Sequence, residues 1–164
     1  MKEILLLGDL HANYPALKAI GDSLQLDRFD RIINTGDLTV YSTFPNETID
    51  WFRDLEDKAI VILGNTDKRV LRILKGKKLK KPKKKEKRVM YFWTSDNLST
   101  ENIAYLKSLP KKSEFTLGRF PFSVTVAPFH RSMPGALSLL GNPKPAIPQL
   151  ALTALGQLLK CFSI

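Results

Sequence analysis

Three times within its first 65 residues the chain runs a short apolar stretch into a glycine and follows that glycine at once with an oxygen-bearing side chain. The three are Leu6-Leu7-Gly8-Asp9, Asn34-Thr35-Gly36-Asp37 and Ile62-Leu63-Gly64-Asn65. Each run is strand-sized, and what lies between them is patterned as helix. In the first interval Asn13 is a good N-cap, Pro15 sits in the first turn, and Leu17, Ile20 and Leu24 share one face. In the second, Asn46 is the expected cap, with Glu47 and Asp50 in the positive first turn and Ile49 and Phe52 three apart. Strand-helix alternation predicts an α/β fold with parallel neighbours. Parallel strands deliver their C-terminal ends to one edge, where ligand sites form, so Asp9, Asp37 and Asn65 should converge there with His11. Glycine at each turn is expected to let the backbone bend sharply and approach a ligand.

Two carboxylates, an amide oxygen and an imidazole are too electronegative and too mixed for a simple salt bridge. Repulsion between Asp9 and Asp37 would raise one pKa unless a cation sat between them. Mixed oxygen and nitrogen ligation suits Mn, Fe, Zn or Ni, whereas calcium normally takes no imidazole. The expected occupant is a pair of divalent transition metal ions, Mn first among them. Taken singly, each Asp or Asn could be a turn or cap residue. Their joint pattern favours ligation, while Asn13 and Asp67 read as helix caps.

The chain has 164 residues, 43% of them apolar, enough for one domain with a proper core. No window approaches the roughly 18 apolar residues of a membrane helix, and Ile4 to Leu7 meets Asp9 too early for a signal peptide. The lone Cys161 makes no internal disulfide, so the expectation is a soluble cytoplasmic protein with no membrane partner. The net charge of +10 has one source. Residues 68 to 88 hold 13 Lys or Arg against Glu86 alone, leaving 13 bases against 15 acids elsewhere. With Tyr91, Phe92 and Trp93 beside it, residues 68–93 can be a nucleic-acid surface with stacking platforms. The plainer reading is a solvated loop or hairpin, with Val89 to Trp93 as a packed apolar strand. A following helix is capped by Ser99 or Thr100 and stops before Pro110.

The motifs Gly8-Asp9-Leu10-His11-Ala12-Asn13, Gly36-Asp37 and Gly64-Asn65-Thr66-Asp67 resemble, in order and separation, those of the calcineurin-like metallophosphoesterases. The small bacterial and archaeal phosphodiesterases look most similar, over residues 1 to about 118. The resemblance implies an α/β/β/α sandwich of two mixed sheets and a dimetal site. Asp9 and His11 would hold one metal, Asn65 the other, and Asp37 would bridge both. It implies hydrolysis of a phosphoester, the expected substrates being a phosphodiester or nucleotide-like small molecule, by a hydroxide shared between the metals. Thr66 stands where many members have a His thought to help the leaving group depart. Members also carry a His-Gly pair after a later strand and a Gly-His-x-His near the C-terminus. The strand Phe122 to Ala127 leads to His130, a loose echo of the first and an alternative to a plain loop histidine. The second is absent, so the expected activity is impaired. Two other readings stand beside the enzyme: a non-catalytic scaffold of the same fold, and a basic nucleic-acid-binding module.

The expected organisation is a metallophosphoesterase-like domain over 1–118 with a basic insert at about 75–98, followed by a different tail. Residues 119–164 contain no Asp or Glu, six of the ten prolines and four bases. The tail reads as out of frame or replaced, leaving the C-terminal part of the second sheet missing or altered. Such a loss would expose a sheet edge and favour oligomerisation. Sequencing the gene beyond codon 118 tests this: another frame is expected to encode Gly-His-x-His and acidic residues, and if no frame does, the frameshift reading fails.

Overall fold

The computed structural model describes residues 3–117, 119–125, 137–139 and 160–163. Strand β1 (Glu3–Leu7) runs parallel to β2 (Arg31–Asn34), and β2 runs parallel to β3 (Ala59–Val61). Helix α1 (Tyr14–Ser23) and helix α2 (Pro45–Asp54) form the two crossovers. Helices α3 (Asn65–Leu74), α4 (Lys85–Asn97) and α5 (Thr100–Ser108) follow β3. Then come β4 (Lys112–Leu117), β5 (Phe120–Thr125), β6 (Leu137–Leu139) and β7 (Lys160–Ser163). The first sheet has the order β3-β2-β1-β7 and is mixed, because β7 is antiparallel to β1. The second, β4-β5-β6, is antiparallel.

Strand β1 explains the layering. Side chains alternate across a strand, and here both faces are buried. Leu5 and Leu7 join Leu17, Phe29, Ile49, Phe52, Val70 and Tyr91 in the core under the helices. Ile4 and Leu6 point the other way and meet Ile33, Ile62, Phe122 and Val124 between the two sheets. Phe115 of β4 stacks on Phe122 of β5, ring centroids 5.3 Å apart. The result is helices, sheet and sheet in layers, with the C-terminal ends of β1, β2 and β3 at one edge. No helix among the described residues is long and apolar enough to cross a membrane.

Several local expectations hold. Asn13 caps α1 by accepting from Ala16 N, Pro15 lies in the first turn, and Leu17 is fully buried. Ser99 caps α5, which ends at Ser108. Others are corrected. Helix α2 begins at Pro45 with no side-chain cap, since proline's fixed φ already suits the first turn. Asn46 bonds across to the α4–α5 junction instead, donating to Asn97 O and accepting from Ser99 N. Val89 to Trp93 is not a strand but the middle of α4. That helix buries Tyr91, Thr94 and Ser95, with Leu98 buried at its C-cap, and leaves Val89, Phe92 and Trp93 outward. Of the loop or hairpin expected for the lysine-rich segment before it, the structure shows a loop, anchored by the buried Leu79 and by Arg88, which donates to Leu79 O at 2.7 Å and Pro82 O at 3.3 Å. Strand β7 pairs along the outer edge of β1 from Glu3 to Leu6.

The contact between sheets predicts a stability change. Phe122, 4% exposed, fills that layer. Phe122→Ala should cost about 3–5 kcal/mol by urea denaturation, the range for emptying an aromatic core site. A cost under about 1 kcal/mol would mean that the second sheet does not pack here as described.

Candidate metal centre

The turns after β1 and β2 carry the centre, and both are conformationally unusual. Asp9, His11, Ala12, Asp37, Val40 and Tyr41 all have φ between +51° and +79°. Non-glycine residues seldom occupy this left-handed region, and such positions cost on the order of 1–3 kcal/mol each. The two turns hold each other in place. His11 N donates to Asp37 O at 2.9 Å, and Ala12 N donates to Leu38 O at 2.7 Å. The glycines serve this packing more than sharp bending, which corrects the expectation from sequence. Only Gly36, at φ +100°, needs glycine's backbone freedom. A Cβ on Gly36 would stand 2.6 Å from Gly64 Cα, one on Gly64 would overlap the Asp37 backbone, and one on Gly8 would overlap Thr35 Oγ1. The strand ends could not approach so closely with side chains at these positions.

Asp9, His11 and Asp37 each bring one ligand atom to within 4.8 Å of the other two. Asp9 is exposed, His11 half-buried and Asp37 buried. Asp37 is held from the first turn of α3. Its Oδ1 accepts from Thr66 N at 2.8 Å and Thr66 Oγ1 at 2.9 Å, and its Oδ2 accepts from Asn65 Nδ2 at 2.8 Å. Thr66, which sequence reasoning placed at a leaving-group position, is 2% exposed and locks Asp37. His11 turns Nδ1 toward Thr39 O at 3.5 Å, and its ring meets the edge of Tyr41 at 4.9 Å. Tyr41 Oη lies 3.3 Å from Tyr91 Oη, to which Arg69 donates at 3.0 Å. Burial and the hydrogen bond to Tyr41 push the Tyr91 phenol well above its ordinary pKa, with Arg69 opposing, so Tyr91 stays neutral. His130 lies outside the described residues.

The residue that sequence reasoning undervalued is Asp67. It does accept from Gly64 N at 3.0 Å, as a helix-start residue should. It also accepts from Asp37 N at 3.0 Å, Leu38 N at 3.3 Å, Thr39 N at 3.0 Å and Thr39 Oγ1 at 2.7 Å. Burial raises its pKa and the Asp37 charge adds to this, while the bonds from Thr39 and Gly64 oppose both. A spacing three residues from a turn glycine was its only local signal. The partners lie 28 to 30 positions away and leave none.

Comparison with known proteins gives concordant findings. The family model described as calcineurin-like phosphoesterase matches residues 2–145. An uncharacterized protein of Methanocaldococcus jannaschii is 31% identical over 107 residues, covering 65% of this chain and 42% of that protein. A symmetrical bis(5'-nucleosyl)-tetraphosphatase of Glaesserella parasuis is 28% identical, covering 70% of this chain and 41% of the relative. The crystal structure of a metallophosphoesterase from Sphaerobacter thermophilus superposes with a TM-score of 0.54 at 29% identity, covering 68% of this chain and 43% of that one. The chain therefore spans about two fifths of the length of each of these proteins.

The electrostatics of the cluster yield a prediction. Loss of hydration at the strand ends raises the Asp9 pKa above the ordinary 3.8, repulsion from Asp37 adds to this, and His11 opposes it. A raised native pKa means that charged Asp9 weakens the metal-free fold at neutral pH, and the penalty fades as pH falls through that pKa. In EDTA at neutral pH, Asp9→Asn should therefore raise the urea midpoint. The gain should shrink toward acid, where the wild type protonates Asp9 itself. A midpoint that drops or stays level at neutral pH would contradict this account.

Proposed function

The chain belongs to the calcineurin-like phosphoesterase family, and from that premise we propose that it hydrolyses phosphoesters with two divalent metal ions seated on Asp9, His11, Asp37 and Asn65. The observation that carries the reading is the gathering of ligand atoms from Asp9, His11 and Asp37 within 4.8 Å of one another. The donor set fits the metals. Two carboxylates and an imidazole suit Mn, Fe, Zn or Ni, and the carboxylates repel each other with no cation between them. Such ions, when bound, supply Lewis acidity toward phosphoryl oxygens and an activated water at neutral pH.

The residues divide the remaining work. Asp37 accepts three hydrogen bonds from Asn65 and Thr66, which leaves about one acceptor site on its carboxylate for a metal, and a second would open if the Asn65 hydrogen bond were given up. The contact of His11 Nδ1 with Thr39 O favours a proton on that nitrogen and presents Nε2 as the ligand atom. Asn65 donates to Asp37 here, so its Oδ1 becomes a ligand only if the amide turns over. A metal beside Asp37 would replace that hydrogen bond.

For the substrate we propose a phosphodiester or a nucleotide-like phosphoester. The Thr66 hydroxyl is committed to Asp37, and a hydroxyl protonates a departing alkoxide poorly, so leaving groups that depart unaided are favoured. The likeness to a relative named as a symmetrical bis(5'-nucleosyl)-tetraphosphatase supports the nucleotide-like choice. Purified chain with Mn²⁺ should hydrolyse bis(p-nitrophenyl) phosphate, and Asp37→Asn should lower the rate at least about 100-fold, beyond the loss expected for an outer partner. No turnover at any Mn²⁺ concentration would instead favour the non-catalytic scaffold.

A further inference from the structure

Helix α3 begins in the metal centre and leaves it along a strongly basic surface. Asn65, Lys68, Arg69 and Arg72 follow at helical spacing and so share one face, while Val70 and Leu71 turn inward. Two adjoining clefts flank this face and share Arg72. One, of about 360 Å³, is lined by Lys68, Arg72, Lys75, Lys77 and Lys111 over a floor of Leu63 and Leu71. The other, of about 310 Å³, is lined by Arg69, Arg72, Lys80 and Lys81 beside Leu79. No Asp or Glu lines either cleft. None of these cations forms an ion pair among the described residues.

The loop that supplies Lys77, Lys80 and Lys81 is fixed in place, through the buried Leu79 and the two bonds from Arg88. The cations are therefore held together against their mutual repulsion, an arrangement that a polyanion relieves. Length decides what kind. At about 1.5 Å per residue, Lys68 to Lys75 spans about 10 Å and Asn65 to Lys75 about 15 Å. A single phosphate cannot fill that distance. A chain of phosphates running outward from the metal centre can. On α4, which packs against α3, Phe92 and Trp93 remain 43% and 36% exposed. Neither lines a cleft, but both offer aromatic faces on the neighbouring helix on which the bases of a strand lying in the clefts can stack.

We infer that the twin clefts along α3 hold the phosphodiester backbone of a single-stranded nucleic acid. The direction of the strand, from the metal centre outward, rests on the phosphoesterase reading; binding itself needs no metal. The test is fluorescence anisotropy of a labelled oligothymidylate with the full chain in EDTA across a potassium chloride series. Affinity should fall with salt by about 0.7 log units per log of salt for each phosphate contacted. Arg72→Gln/Lys75→Gln should flatten that slope by about 1.4. Lys83→Gln/Lys84→Gln removes equal charge outside the clefts and should leave the slope as it was. Equal flattening in both variants would overturn the clefts as the site. Displacement by inorganic polyphosphate at equal phosphate concentration, with affinity as high or higher, would overturn the nucleic-acid assignment. Oligonucleotide binding without hydrolysis of bis(p-nitrophenyl) phosphate in Mn²⁺ supports the groove and sinks the phosphoesterase reading. Hydrolysis without binding does the reverse.

Discussion

A buried carboxylate one helical turn inside α3 joins the parts of this molecule that matter for chemistry. Asp67 is fully buried, and it accepts from three successive backbone amides of the turn after β2, from Thr39 Oγ1 and from Gly64 N. Burying an ionised carboxylate costs several kcal/mol unless it is well satisfied, and hydrogen bonds to a charged acceptor return about 1.5–3 kcal/mol each. Five donors are what make its burial tolerable. The consequence is geometric. The turn bearing Asp37 and the start of α3 bearing Asn65 and Thr66 become one rigid unit, and the Asp37 carboxylate is presented at a fixed angle.

That clamp also accounts for the backbone of the two turns. Six non-glycine residues sit there in left-handed conformations, and Val40, a β-branched residue at φ +72°, is the least comfortable of them. Strain of this kind persists only where the surroundings over-determine it. Here the surroundings are the Asp67 bonds on one side and the paired bonds from His11 N and Ala12 N on the other. Ala12 and Val40 themselves are fully buried. The helix-side core therefore holds the turns that carry Asp9, His11 and Asp37 from below, while Asp9 stays open to solvent above.

How much of this could be read from the chain follows from whether the information was local. The strand-glycine-oxygen pattern placed Asp9, Asp37 and Asn65 at one sheet edge, because alternation of strands with helices implies parallel strands whose C-terminal ends share that edge. Asn13 and Ser99 were legible as caps because their partners are three residues away. Asp67 was legible only by half, as a cap, since its other donors come from a turn distant in sequence. Helix α4 was illegible for another reason. Its buried stripe of Tyr91, Thr94 and Ser95 contains two polar residues, while the apolar Val89, Phe92 and Trp93 point outward, so the hydrophobic period was inverted. The left-handed turns were legible only in part, because Asp and His favour a positive φ whereas Ala, Val and Tyr do not announce one.

The same helix organises charge of both signs. The N-terminal end of an α-helix carries a partial positive charge and unpaired amides, and α3 spends that end on Asp37 through Thr66 N. Its C-terminal end carries a partial negative charge, and Arg72 in the last turn with Lys75 at the C-cap complements it. The acidic cluster thus sits at the N-terminal end of α3, while the basic surface runs along the helix for about 10 Å from Lys68 to Lys75, and only its far end gains from the helix polarity. None of the basic side chains lining the clefts pairs with an acid among the described residues, so they stay available to anions. A phosphoester has use for both at once: cations where its bond breaks and fixed positive charge along the remainder of its length.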